Sequence, residues 1–186
     1  MARIRSRSPF ELLAAAAVGA AGIIHFVVVP HHWEHAPAHG LFFIVVGLIE
    51  LIWAVAIVWN PTVRVMQTGA LLAGSLVILW LITRALPAPF GHGPEEIDAG
   101  GLVCKLSELL GFVSAAIVLF RHAMTNRGPL AARRSLGVLL AVAILLGSAG
   151  YVIGRAIEPL APQLSASEEE HHNLSLIHIS EPTRPY

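Results

Sequence analysis

An all-α integral membrane bundle of five transmembrane helices follows from three features of this 186-residue chain. Hydrophobic residues make up 55% and charged residues only 13%, about half the ~25% charge of a soluble domain. Mean hydropathy is +0.70. Apolar runs recur five times, each near the ~20 residues that cross a ~30 Å hydrocarbon layer as helix. Positive charge and histidine also alternate from one connecting segment to the next.

The first run, about 10–29, follows Arg3, Arg5 and Arg7 and reaches Pro30. A basic start before an Ala-rich stretch is also how a secretory signal begins, and Ala36-Pro37-Ala38 offers small residues for cleavage. Such signals have an apolar region of only ~7–15 residues, whereas this run continues through Val29 and is expected to remain as a spanning helix. The second run, 39–59, starts after Pro37 and stops at Asn60-Pro61. The third, 66–86, lies between Arg64 and the Pro87/Pro89 pair; the fourth, 99–120, between Asp98 and Arg121. The fifth, 134–155, begins at Arg133-Arg134 and contains Gly150-x-x-x-Gly154. Small residues at that spacing let helices approach closely and offer a packing or oligomer face.

Residues 1–160 therefore form one transmembrane domain, followed by an acidic, His-bearing tail at 161–173. Residues 174–186 (Leu174 to Tyr186) resemble the translation of a transposon-end adapter used in sequencing libraries. They are expected to be non-native, so the natural carboxyl end is expected to be lost somewhere after Asn173.

Lys and Arg in short loops accumulate on the cytoplasmic side. Arg64 and the group Arg121, Arg127, Arg133 and Arg134 join the amino-terminal arginines on one side. The segments on the other side hold His31, His32, Glu34, His35 and His39, then His92, Glu95, Glu96 and Asp98. The predicted topology has the amino end in the cytoplasm and the histidines and carboxyl end outside. Eleven arginines against one lysine fit a GC-rich bacterial source, and the expected location is the inner membrane. With a formal net charge of zero, nothing points to nucleic acid.

A weak repeat relates helices one–two to three–four, leaving the fifth as an extra helix. His25 precedes Pro30 as Arg84 precedes Pro89, and Glu50 recurs as Glu108 at an offset of about 58. Parallel repeats of this kind occur in membrane transporters.

Five ionisable residues fall inside apolar runs: His25, Glu50, Arg84, Lys105 and Glu108. A charge at the bilayer centre costs ~3 kcal/mol on insertion scales, so such groups face the interior and pair. The economical pairing sets Glu108 or Glu50 against Lys105 and Arg84, with His25 nearby. His39, Phe43, Gly47 and Glu50 share one helical stripe, and Asp98, Gly101, Lys105 and Glu108 another. Together they predict a polar interior opening outward.

The segment His31-His32-Trp33-Glu34-His35, with His39 and His92, reads as a loop rim suited to a divalent transition metal. Histidine with carboxylate fits Zn(II), Cu(II) or Ni(II). His31-x-x-Glu34-His35 also matches an inverted zinc-peptidase pattern. Pro30 and Pro37 are expected to leave only one turn there, too little helix to present both imidazoles. A bis-histidine haem is not expected: His25 and His122 lie at different depths, and His25 with His39 would be strained. The single cysteine, Cys104, makes no CxxC site and no disulfide. Neither a nucleophile constellation nor a phosphate loop is present, so no enzyme is expected. The readings are a metal sensor, buffer or small transporter; a structural or partner-binding protein held by salt bridges; and a proton-coupled solute transporter.

The pattern His25-Phe26 … Pro30-x-His32-Trp33-Glu34-His35 … Gly40-x-Phe42-Phe43 … Glu50-x-x-Trp53-Ala54 continues as Trp80-x-x-x-Arg84 … Pro89-Phe90-Gly91 and Glu108. It is similar to uncharacterised small polytopic membrane proteins of GC-rich bacteria, over roughly residues 15–120. The resemblance implies a shared four-helix unit and assigns no activity and no site residue.

Overall fold

In the computed structural model, residues 8–91 and 93–165 are described, and they form five long helices with no strand among them. These are α1 (Pro9–His35), α2 (Pro37–Trp59), α3 (Val63–Ala85), α4 (Ala99–Arg127) and α5 (Pro129–Ile157), followed by two short 3-10 turns. All five are long and apolar enough to cross a membrane. His92, the arginines at 3, 5 and 7, the tail from residue 166 and the adapter-like segment lie outside the described residues, as does the side chain of His35.

Local chemistry sets each helix end. Ser8 caps α1: its hydroxyl accepts from Glu11 N at 3.2 Å, while Glu11 Oε2 accepts from Ser8 N at 3.0 Å. This reciprocal box satisfies amides that the first turn leaves open. Thr62 caps α3 by accepting from Val65 N, and Asp98 caps α4 by accepting from Gly101 N at 2.8 Å. Gly128, at φ +86°, is the single residue between α4 and α5. A left-handed φ there suits a residue without a Cβ.

The histidine segment departs from the sequence expectation. Pro30 lies inside α1, and the helix continues to His35, so His31 and His32 are helical rather than part of a loop. Membrane helices tolerate an internal proline because neighbouring groups and local adjustment re-satisfy the freed carbonyl. The break comes at Ala36, whose φ of −151° and ψ of 112° are extended. That is the conformation forced on a residue preceding proline, here Pro37. The one-turn limit expected from Pro30 and Pro37 therefore does not hold.

Packing is asymmetric. α1 lies along both α2 and α4, α3 packs against α4 and α5, and α2 barely meets α3. The apolar core, with Val18, Ile57, Met66, Ala70, Ala73 and Ala115, fills the arginine-bearing half. The outward-facing surface is rich in exposed Leu, Ile and Val, as lipid contact requires.

Small residues bring the helices together where the polar groups sit. α1 and α2 cross at Gly22 and Gly47: a Cβ on either would lie 3.0 Å from the other's carbonyl oxygen. One turn further along each helix stand His25 and Glu50. On α4, Gly111 faces Val18 of α1 with no room for a Cβ, and Glu108 lies one turn before it. Of the two glycines on α5 read as a packing or oligomer face, Gly154 packs on Pro89 within the chain, while a Cβ at Gly150 would meet nothing within 4 Å.

Replacing Gly47 with Val should lower the thermal midpoint of the detergent-purified protein, because overpacking a close contact costs ~1–3 kcal/mol. Gly137, where a Cβ meets nothing within 4 Å, should accept Ala with an unchanged or higher midpoint. Equal midpoints for Gly47→Val and Gly137→Ala would contradict the crossing.

Candidate metal centre

His25, Glu50, Cys104 and Glu108 are all buried, the two carboxylates completely. His25 Nε2 donates to Glu108 Oε1 at 3.1 Å and lies 3.5 Å from Glu50 Oε2. The Cys104 sulfur stands 3.6 Å from His25 Nε2 and 3.6 Å from Glu108 Oε1. Lys105 Nζ donates to the same Glu108 oxygen. His25, Cys104 and Glu108 each offer a ligand atom, and these atoms lie within 4.8 Å of one another. A buried His/Cys/Glu group of this kind can hold a metal ion.

The electrostatics are incomplete. Two fully buried carboxylates face one ammonium, and both Glu50 oxygens and Glu108 Oε2 have no hydrogen-bond partner. A carboxylate in a low-dielectric interior needs a partner for its lone pairs. Lys105 reaches one of these four oxygens, Glu108 Oε1, and leaves the other three without a partner.

Arg84 does not join this group. Its NH2 pairs with Glu95 Oε2 at 2.9 Å, its NH1 donates to Glu96 O, and its guanidinium lies 5.0 Å from the Trp80 ring centroid. The expected pairing of Arg84 with the intramembrane acids is thus replaced. The 86–98 segment folds back over the end of α3, where Glu95 N donates to Thr83 O, and carries carboxylates to the arginine. Cys104, a lone cysteine in the sequence, is a member of this group. Its signal was available: residues 104 and 108 are one turn apart and share a helix face.

Of the five histidines predicted to form the rim, the structure describes the side chains of His31, His32 and His39. His32 and His39 have ring centroids 6.3 Å apart, and His31 sits edge-on to His32 at 5.5 Å. His39 Nε2 donates to Pro89 O at 2.7 Å, and its Nδ1 lies 3.5 Å from Glu95 Oε1, so both ring nitrogens are engaged. Among the described residues, no group of three donors includes His31, His32 or His39. Below the rim, Phe43 stacks on His25 with centroids 5.1 Å apart and also touches His32.

An open cavity runs from this rim to the cluster. His32, His39, Glu95 and Asp98 line its mouth, and His25, Cys104 and Lys105 its floor.

Fold and site together define a five-span helical membrane protein with a buried histidine–cysteine–glutamate group. Compared with protein-family models, curated proteins and solved structures, the chain matches none.

The Lys105–Glu108 pair gives a direct test of the buried electrostatics. Lys105→Met alone should destabilise the protein by ~3–5 kcal/mol, the usual result of leaving one buried charge without its partner. Adding Glu108→Gln should recover much of that loss, so that the double variant is more stable than the single one. Additive losses in detergent unfolding curves would show the pair to be unimportant.

Proposed function

We propose that this protein binds one divalent transition-metal ion deep in its bundle, through His25 Nε2, Cys104 Sγ and Glu108, with Glu50 as fourth donor. The observation that carries this reading is a buried group of N, S and O donors beside carboxyl oxygens that have no hydrogen-bond partner. A dication would be held by His25 Nε2 with the ring proton on Nδ1, and by Cys104 as thiolate with the thiol proton released to solvent, and it would occupy carboxylate lone pairs that the cluster leaves open.

The spacing supports the same reading. Tetrahedral zinc, with Zn–S of ~2.3 Å and Zn–N and Zn–O of ~2.0–2.1 Å, sets its ligand atoms ~3.4–3.6 Å apart. The three grouped donors are separated by 3.1 Å for His25–Glu108 and 3.6 Å for both Cys104 contacts; Glu50 lies 3.5 Å from His25 but outside that group, and would have to move to become the fourth donor. Sulfur in the donor set favours Zn(II) over the Cu(II) and Ni(II) that histidine and carboxylate alone would suit. Lys105 stays as a neighbour of the bound Glu108 and offsets the second carboxylate.

In this reading the histidine rim is the entry, not the site, and metal arrives from the extracytoplasmic side of a bacterial inner membrane with the amino end inside. The protein acts by binding, as a sensor, buffer or small transporter, with no reaction catalysed. The alternative is a structural protein fastened by charge, favoured by the existing Lys105–Glu108 bond.

Elemental mass spectrometry of tag-free, detergent-purified protein separates the two. Bound zinc should be near stoichiometric, lost in Cys104→Ser and in His25→Ala, and retained when His31, His32 and His35 are all Ala. Protein that is metal-free as isolated and fails to bind on zinc titration would sink the metal reading and leave the structural one. Zinc lost only in the rim variant would move the site to the loop histidines.

A further inference from the structure

At the arginine-bearing end of the bundle, the start of α3, the end of α4 and the start of α5 form a second pocket, of ≈ 100 Å³. Gln67, His122, Arg127 and Ser135 bring polar side chains to it, and no carboxylate is among the described residues that line it. Among the described residues Arg127 has no ion pair; those of arginine and lysine belong to Arg84, Lys105 and Arg155, away from this end. Arg64, Arg121, Arg133 and Arg134 stand at the same end. The described carboxylate there, Glu11, accepts from Ser8 N. An anion seated on Arg127 is therefore attracted by the charge of the whole end. The planar guanidinium fork suits a phosphate in particular.

Depth decides where that phosphate comes from. Going into the bundle along α4, the lining changes from Arg127 and His122 to Phe120, Leu119 and Ala116. Along α5 it changes from Ser135 to Leu136 and Leu139. Leu119 and Leu136 are partly buried and pack against the apolar core. Polar groups at the helix ends with apolar side chains a turn deeper repeat the order of a phospholipid, whose phosphodiester sits above its acyl chains. A free phosphate would use only the outer half of the pocket.

We propose that this pocket binds one anionic phospholipid of the adjoining leaflet. Its phosphodiester lies on Arg127 and His122, with Gln67 and Ser135 as further donors, and its acyl chains begin against Leu119 and Leu136. Basic pockets between transmembrane helices are a recurrent kind of headgroup site. A zwitterionic headgroup would bring an ammonium with no described carboxylate in the lining to receive it, so an anionic lipid is preferred. The site shares no residue with the His25, Cys104 and Glu108 cluster, and stands whether or not that cluster holds a metal. Only binding is inferred, with no covalent or redox step.

The test is native mass spectrometry of the full chain, delipidated in detergent and titrated with phosphatidylglycerol or phosphatidylethanolamine of identical acyl chains. Salt is held at about 0.15 M, where charges more than ~8 Å apart are largely screened. Phosphatidylglycerol should bind about tenfold more tightly than phosphatidylethanolamine. Arg127→Gln should weaken phosphatidylglycerol about tenfold, the size expected on losing a hydrogen bond to a charged group, with an unchanged thermal midpoint. Arg121→Gln removes the same charge from the same helix, but this guanidinium lies 4.7 Å from the Phe10 ring centroid on α1, and the preference should survive its loss. Glycerophosphoglycerol, the same headgroup without acyl chains, should fail to displace the lipid even in large excess. Equal binding of the two lipids, or equal losses in Arg127→Gln and Arg121→Gln, would overturn the proposal and leave only general attraction to the arginine-rich end. Displacement by the headgroup alone would overturn the lipid assignment and make a soluble phosphate ester the occupant.

Discussion

Two carboxylates buried at zero exposure within membrane-spanning helices are the constraint on which the rest of this structure depends. Ionised side chains in the hydrocarbon region are tolerated only when they face the interior and find partners. The helices satisfy this by meeting closest at residues one turn from the polar groups. Gly22 and Gly47 allow α1 and α2 to touch backbone to backbone, and Gly111 lets α4 reach α1. His25 then stands between Glu50 and Glu108, with Lys105 against the latter. The bundle's asymmetry has the same origin: α1 is the helix that both acids must contact, and it carries the contacts to α2 and α4.

Above the cluster, the segment joining α3 to α4 works as a strap. Arg84 holds it through Glu95 and Glu96, His39 of α2 through Pro89, and Tyr151 of α5 through a 3.1 Å bond to Pro87 O. Phe90 adopts a left-handed φ of 62° at its turn, a conformation uncommon for a bulky residue and held here by the bonds on either side. Three helices thus fix one short stretch across the end of the bundle. The cavity beneath it keeps a polar mouth and floor between apolar walls.

Much of this was legible in the sequence, and the omissions have physical causes. Five apolar runs gave five helices, because bilayer thickness leaves a long apolar segment little choice. His25, Glu50, Lys105 and Glu108 were recognisable as a group because each is costly where it lies. The helix ends were less visible: the arginine-bearing connection at 121–134 is nearly all helix, interrupted only at Gly128. Polar residues can continue a helix beyond the membrane, so hydropathy underestimates its length. Hydropathy places a stop at Pro30, whereas the pre-proline position Ala36 sets the break. Arg84 was paired with the wrong acids because nothing in linear spacing reveals that the 86–98 segment folds back onto α3. Cys104 was overlooked because its significance comes from neighbours on α1 rather than from any cysteine motif.

The completion of the cluster's unpartnered carboxyl oxygens by a metal is the central claim. Absorption spectroscopy of the metal-stripped, detergent-purified protein titrated with Co(II) tests it most directly, because that ion reports both geometry and sulfur ligation. The account predicts saturable binding of one ion, with intense visible bands of tetrahedral cobalt and a thiolate charge-transfer band that disappears in Cys104→Ser. A weak spectrum typical of hydrated cobalt, or one indifferent to Cys104→Ser, would contradict it.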